Sequence, residues 1–291
     1  MIEADDPATT HVAGPVPRIV MRHRLSTRLW HWTNALTLLV MVMSGLMIFN
    51  AHPRLYWGQY GANADPAWLE IGARDEAGYL RIGGVEVETT GVLGRWRDGD
   101  GVVRERAFPY WATIPSNYSL ADGRLWHLFF AWIFALSLLA YLIRSLWNGH
   151  VRRDLATQKK DWSARNLWHE IKDHARLRFP TGAAAARYNS LQKLSYIGVI
   201  FVLLPLMIFT GLAMSPGFGA AFAPYVDLFG GRQSARSIHF IVMGLLVAFF
   251  LVHIAMVIAA GPINEIRSMI TGRFRLPPDP DPAAETSESE A

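Results

Sequence analysis

The sequence predicts an all-α membrane protein, a four-transmembrane-helix bundle with a long, partly β-structured external loop. Three observations predict it. Hydrophobic side chains fill 51% of the 291 positions and there are eleven tryptophans, a composition too apolar for an ordinary soluble domain. Four runs approach the ~20 apolar residues that cross a bilayer. They lie at about Trp30 to Phe49, Trp126 to Trp147, Ser195 to Met214 and Ile238 to Ala260. Between the first two, residues 50–124 are far more than a connector requires.

The elements follow in chain order. Residues 1–28 form an N-terminal segment; within it residues 1–17 are polar, carry Glu3, Asp5 and Asp6, and lack the apolar core of a secretory signal. That segment is therefore expected in the cytoplasm. Residues 29–260 form the four-helix domain. In its external loop, 50–124, the stretch GYLRIGGVEVETTGVLGRW alternates apolar and polar residues between glycines, and GDG at 99–101 marks a turn. One or two β-hairpins are expected there, either as a lid over the helix ends or as a docking surface.

The loop between the second and third runs, 148–190, holds nine Lys or Arg against four acids, while residues 50–123 hold seven against ten. By the positive-inside rule the first is cytoplasmic and the second external. Within the cytoplasmic loop, residues 161–177 place Trp162, Leu167, Trp168, Ile171 and Ala175 near helical spacing between Lys and Arg, the pattern of an interfacial amphipathic helix. His169 and His174 read as surface residues of it. Pro205 should kink the third span. Residues 261–291 form a cytoplasmic, largely disordered tail, proline-rich and acidic from Pro277 onward.

The chain contains no cysteine. Disulfides, thiolate zinc sites, cysteine-held iron–sulfur clusters and covalent haem attachment are thereby excluded. The net charge of +4 suits loops facing an anionic leaflet and points to no nucleic acid.

Four histidines fall within predicted spans: His31, His127, His239 and His253. Titratable side chains at that depth are costly and usually functional. His239 and His253 are fourteen residues apart on one helix, so they share a face about 40° wide and stand about 21 Å apart along the axis. With the N-terminus inside, His127 and His239 lie at the outer level, and His31 and His253 at the inner level. Two neutral imidazoles on opposite sides of one iron hold a low-spin haem. Two histidines alone under-coordinate zinc, and no Asp or Glu lies within the spans to complete such a site. Two b-type haems are the reading these residues favour.

Arg28, Arg124 and Arg236 each precede one of these histidines by three residues, one helical turn nearer water. They suit haem propionates, or else they snorkel as interface anchors. Gly45 at the outer haem level, and Gly198 and Gly211 at the two levels of the third span, would let a porphyrin approach the backbone.

At these residues the sequence resembles the bacterial di-haem cytochrome b membrane subunits of respiratory enzymes, the group of formate dehydrogenase, nickel-iron hydrogenase and thiosulfate reductase cytochromes. R-x-x-HW at 28–32, the histidine opening the second span and H-x13-H in the fourth carry the likeness. It covers all four spans, roughly residues 20–270. It implies that the four histidines are haem axial ligands in the inner bacterial membrane. RYNSLQK at 187–193 is similar to the family's segment at the quinone pocket, which implies that Asn189 and Gln192 meet a quinone; read without the likeness, they cap a helix. The likeness also implies an external redox subunit, a molybdopterin enzyme.

The resulting expectation is a membrane cytochrome carrying electrons between the quinone pool and that external subunit. A second reading is a stand-alone quinol-dependent oxidoreductase that reduces a small oxidant at the outer haem. A third is a non-redox membrane scaffold or transporter with histidine proton relays.

Overall fold

The computed structural model describes residues 18–149, 157–176 and 189–276. Four helices are long and apolar enough to span a membrane. They are α1 (Leu25–Phe49), α2 (Leu120–Trp147), the continuous helix Ser190–Met214 and α8 (Arg232–Ala259). Each starts some five or six residues earlier than its apolar run, because the first turns are polar. At α2 the reason is a cap: Ser119 Oγ accepts from the Asp122 backbone N–H, and Asp122 adds negative charge where the helix dipole favours it.

The third span is built from α4 (Ser190–Gly198), a π-helical turn (Val199–Leu203) and α5 (Leu204–Met214). The wide turn ends just before Pro205, whose ring and missing N–H an ordinary α-helix would not accommodate. The interruption expected at Pro205 thus takes the form of a π segment. Short helices α6 (Pro216–Ala221) and α7 (Ala223–Asp227) lead into α8. An apolar core holds the bundle together: Met41, Phe134, Leu138, Leu204, Met207, Val242 and Leu246 pack against one another.

One end of the bundle carries both flanks of the described chain. There β1 (Ile19–Met21) pairs antiparallel with β8 (Arg273–Arg275), and between α8 and β8 lies α9 (Pro262–Thr271). Pro262 starts α9 and left-handed Gly272, with φ of 81°, stops it. Arg22 Nη1 reaches both carboxylate oxygens of Glu265 at 3.0 Å. So residues 262–275, which the sequence assigned to a largely disordered tail, are helix and strand. The acidic stretch from Pro277, and residues 1–17, lie outside the described residues.

The opposite end carries the β-rich segment. A four-stranded antiparallel sheet runs β2 (Arg54–Leu55), β3 (Leu69–Arg74), β4 (Ala77–Ile82), β5 (Val85–Glu88). A hairpin, β6 (Gly94–Arg97) and β7 (Val103–Arg106), closes through the predicted GDG turn. Phe49, Leu55, Leu69, Ile71 and Ala107 form its core and rest on Phe240 of α8. Buried Glu70 in β3 is held by Arg54 at 2.5 Å, by Tyr79 at 2.8 Å and by Arg81.

This cap is fastened to the first turns of α8. Ser237 Oγ donates to the Tyr56 carbonyl at 2.5 Å, Trp68 Nε1 donates to Ser237 Oγ at 2.9 Å, and the Gly58 N–H donates to Ser234 Oγ at 2.7 Å. Gly58 O in turn accepts from the Gln233 and Ser234 N–H groups, satisfying two of the unpaired donors at the helix start. A Cβ on Gly231 would stand 2.7 Å from the Gly58 backbone, so only glycine permits this approach. Packed against α4, α3 (Ala164–Ala175) is the amphipathic helix expected at 161–177, with Trp168 exposed.

Candidate functional site

Two turns into α2 and into α8, His127 and His239 face each other with ring centroids 6.4 Å apart and planes at 61°. His127 Nδ1 lies 3.0 Å from the Met41 carbonyl, which can only accept, so this nitrogen carries the proton. It also reaches Ser44 Oγ at 3.1 Å, while that hydroxyl donates to the Val40 carbonyl at 2.7 Å. His239 is held the same way. Its Nδ1 donates to Thr210 Oγ1 at 2.9 Å, the Thr210 hydroxyl donates to the Leu206 carbonyl at 2.7 Å, and the Met207 backbone supplies a further hydrogen bond. With both Nδ1 atoms protonated, each Nε2 keeps its lone pair for a metal.

These contacts come from one repeated pattern. The first span reads Met41-x-x-Ser44-Gly45 and the third Met207-x-x-Thr210-Gly211. In both, the backbone at methionine and the hydroxyl three residues later grip the histidine of the next span. The glycine lets that ring lie against the helix: a Cβ at Gly45 would stand 3.3 Å from His127 Cε1, and one at Gly211 3.7 Å from His239 Cε1. The two glycines expected at this level are where the sequence reading put them.

At the other end His31 of α1 and His253 of α8 face each other with centroids 6.3 Å apart and planes at 58°. His253 stacks on Phe249. His31 Nδ1 is buried without a hydrogen-bond partner, as are Arg28 Nε, Trp30 Nε1 and Asn34 Oδ1. Buried polar atoms are rarely left so, and four of them on the first three turns of one helix mark a place shaped for a polar or coordinating group. A Cβ at Gly198 would meet nothing within 4 Å.

The donors fit a haem iron at each level. With metal–imidazole bonds of about 2 Å, two rings on opposite sides of one metal stand about 6 Å apart between centroids, which both pairs match. Among the described residues no third His, Cys, Asp or Glu joins either pair to complete a metal site of another kind.

The three arginines behave differently from one another. Arg28 Nη1 donates to the Ile270 carbonyl of α9 at 2.8 Å. Arg236 Nη2 donates to the His52 carbonyl at 2.5 Å, with its guanidinium 5.6 Å above the Phe49 ring. Arg124 is exposed. A guanidinium has five N–H donors, so these contacts leave others for a carboxylate. His52 itself packs against Tyr56, its Nε2 buried and unpartnered. Burial, then the neighbouring Arg236 and Arg54 guanidiniums, hold its imidazole below the ordinary 6.5.

Asn189 and Gln192 form a capping box at the start of α4. Asn189 Oδ1 accepts from the Gln192 backbone N–H at 2.8 Å and Gln192 Oε1 accepts from the Asn189 backbone N–H at 3.3 Å. The Asn189 amide nitrogen meets His174 Nε2 at 3.2 Å, so His174 is part of this junction rather than a free surface residue. Beside it Asp161 accepts from Ser190 Oγ at 2.6 Å, a bond that keeps its carboxyl below the usual range. Arg187 and Tyr188 of the same motif lie outside the described residues.

Ser44, Thr210, Met41, Met207, Trp30, Asn34 and His52 were not singled out from the sequence. The Met-x-x-[Ser/Thr]-Gly repeat was a visible signal for the first four.

Residues 22–272 match the family described as prokaryotic cytochrome b561. The chain is also 29% identical over 170 residues, 57% of its length and 79% of the other's, to an Azospira oryzae protein named "Putative protein-methionine-sulfoxide reductase subunit YedZ1".

Proposed function

The chain belongs to the prokaryotic cytochrome b561 family and is a membrane haem protein; from that premise we propose that it carries two b-type haems and moves electrons between the two ends of its bundle. The observation that carries this reading is the pair of histidine pairs, 6.4 Å and 6.3 Å apart, at opposite ends of α8. His127 and His239 would hold one haem, His31 and His253 the other. The haems supply the one-electron chemistry, and the chain supplies ligands, fixed tautomers and an apolar surround.

The end that carries β1 and β8 is assigned to the cytoplasmic side of the bacterial inner membrane, on the loop charges. Quinone is the proposed small-molecule partner there. The capping box favours a structural duty for Asn189 and Gln192, and contact with a quinone is proposed for their amides because α4 starts at the His31 and His253 end of the bundle. The β-rich cap is the proposed seat of a redox subunit. Support comes from its fastening to α8 directly above the His127 and His239 pair, and from the relative named as a reductase subunit. A molybdopterin enzyme is the partner class that the family likeness implies. Propionate contact is proposed for Arg28, Arg124 and Arg236.

Pyridine haemochrome quantification tests the haem count. Two haems per chain are expected in the unaltered protein and one in His239→Ala. Two haems retained in that variant would defeat the pairing.

A further inference from the structure

On the surface of the end that carries β1 and β8, a cavity of about 430 Å³ is lined by Ile19, Arg267, Thr271 and Arg273. None of these residues belongs to either histidine pair. Arg267 and Thr271 are four residues apart on α9 and share one face. Ile19 and Arg273 stand on the outer face of the β1–β8 ribbon, since register places Val20 and buried Phe274 on the other.

Two features of this cavity call for an anion. Arg267 Nε and Nη2 are both buried and have no hydrogen-bond partner. A guanidinium in that state is costly, and the edge formed by Nε and one Nη is the edge that takes a bidentate oxyanion. Among the described residues no acid lines the cavity to answer Arg267 or Arg273. The Thr271 hydroxyl is already engaged, donating to the Arg267 carbonyl at 2.8 Å and accepting from the Arg273 N–H at 3.1 Å, so the cations of the cavity are its two arginines.

A third feature identifies where the anion comes from. Ile263, Ile266 and Ile270 form an exposed apolar stripe along the same helix, and Ile19 and Met21 extend it onto the ribbon. A helix with an apolar stripe beside a cationic edge, directly following a membrane span, lies in the headgroup layer with that stripe in the acyl region. We propose that this cavity binds the phosphate of an anionic phospholipid, with Arg267 and Arg273 as its two cations and the isoleucines against the chains.

Native mass spectrometry of the haem-loaded protein, stripped of lipid in a neutral detergent and titrated with phosphatidylglycerol or phosphatidylcholine, tests this. The unaltered protein should hold one phosphatidylglycerol in preference to phosphatidylcholine. Charge-assisted hydrogen bonds of about 1.5–3 kcal/mol set the expected loss in Arg267→Gln at about ten- to a hundredfold. Arg267→Lys should retain part of it, and Arg95→Gln, at the opposite end, all of it. The Soret band of each variant verifies its fold. Equal binding of both lipids, unchanged affinity in Arg267→Gln, or displacement by millimolar inorganic phosphate would each overturn the lipid assignment. So would a loss of one haem in Arg267→Gln with lipid binding intact, because the guanidinium would then be serving a propionate.

Discussion

Ser44 Oγ stands 3.1 Å from His127 Nδ1 although the two residues are 83 positions apart in the chain. The same relationship joins Thr210 and His239 at 2.9 Å. Each hydroxyl is itself oriented by donating to a carbonyl four residues back, so it can only accept from the imidazole. A ligand histidine with its second nitrogen tied in this way is fixed in both tautomer and rotation.

Ser44→Ala and Thr210→Val each remove one such bond while leaving a backbone acceptor in place. A loss of about 1 kcal/mol is expected from each, read as a several-fold faster release of one haem to an excess of a haem-scavenging protein. The remaining haem should leave at its former rate. The tied histidines also donate less charge to iron once the bond is gone, so the potential of that haem should rise.

Gly45 and Gly211 occupy equivalent places but have unequal room. Gly45→Ala puts its methyl 3.3 Å from the His127 ring, tighter than ordinary contact, whereas Gly211→Ala has 3.7 Å. The first should displace the ring by a few tenths of an ångström and shift the Soret and low-spin resonance signals of one haem. Gly211→Ala should leave them nearly unchanged. Equal responses would mean that the ring positions are not set by these glycines.

His52 makes the cap sensitive to pH. Its folded-state value is depressed below 6.5, so the fold favours the neutral ring. The associated stability is complete above 6.5 and declines as pH falls below 6.5 and through the folded value. Protection factors in β2 to β5, with exchange corrected for its intrinsic base-catalysed pH dependence, should be smaller at about pH 5.5 than at about pH 7.5. His52→Gln should remove that difference without changing haem content.

The spans and the two histidine levels were legible because both rest on local quantities, apolar run length and a fourteen-residue spacing on one helix. The cap was legible in part. Its GDG turn announces itself, but β3 joins β4 through Asp75 and Glu76 with φ of 50° and 65°, left-handed residues without a glycine to signal them. Buried Glu70 reads as a surface charge until Arg54 and Arg81 come from other strands to meet it. The ribbon of β1 and β8 could not be found at all, since three residues such as IVM and RFR acquire meaning only from each other. The helix α9 is a different matter: its opening Gly261–Pro262, isoleucine spacing and closing Gly272 were all on view.

The ribbon has a mechanical consequence. Ile19 pairs with Arg275 at its free end and Met21 with Arg273 at the end joined to the helices. Tension applied between Arg18 and Leu276, which are themselves linked backbone to backbone at 2.9 Å, therefore peels the rungs open one after another instead of shearing them together. Peeling needs little force at any moment, so the ribbon acts as a fuse. A load on either chain end is released there before it reaches α1 and the ring of His31.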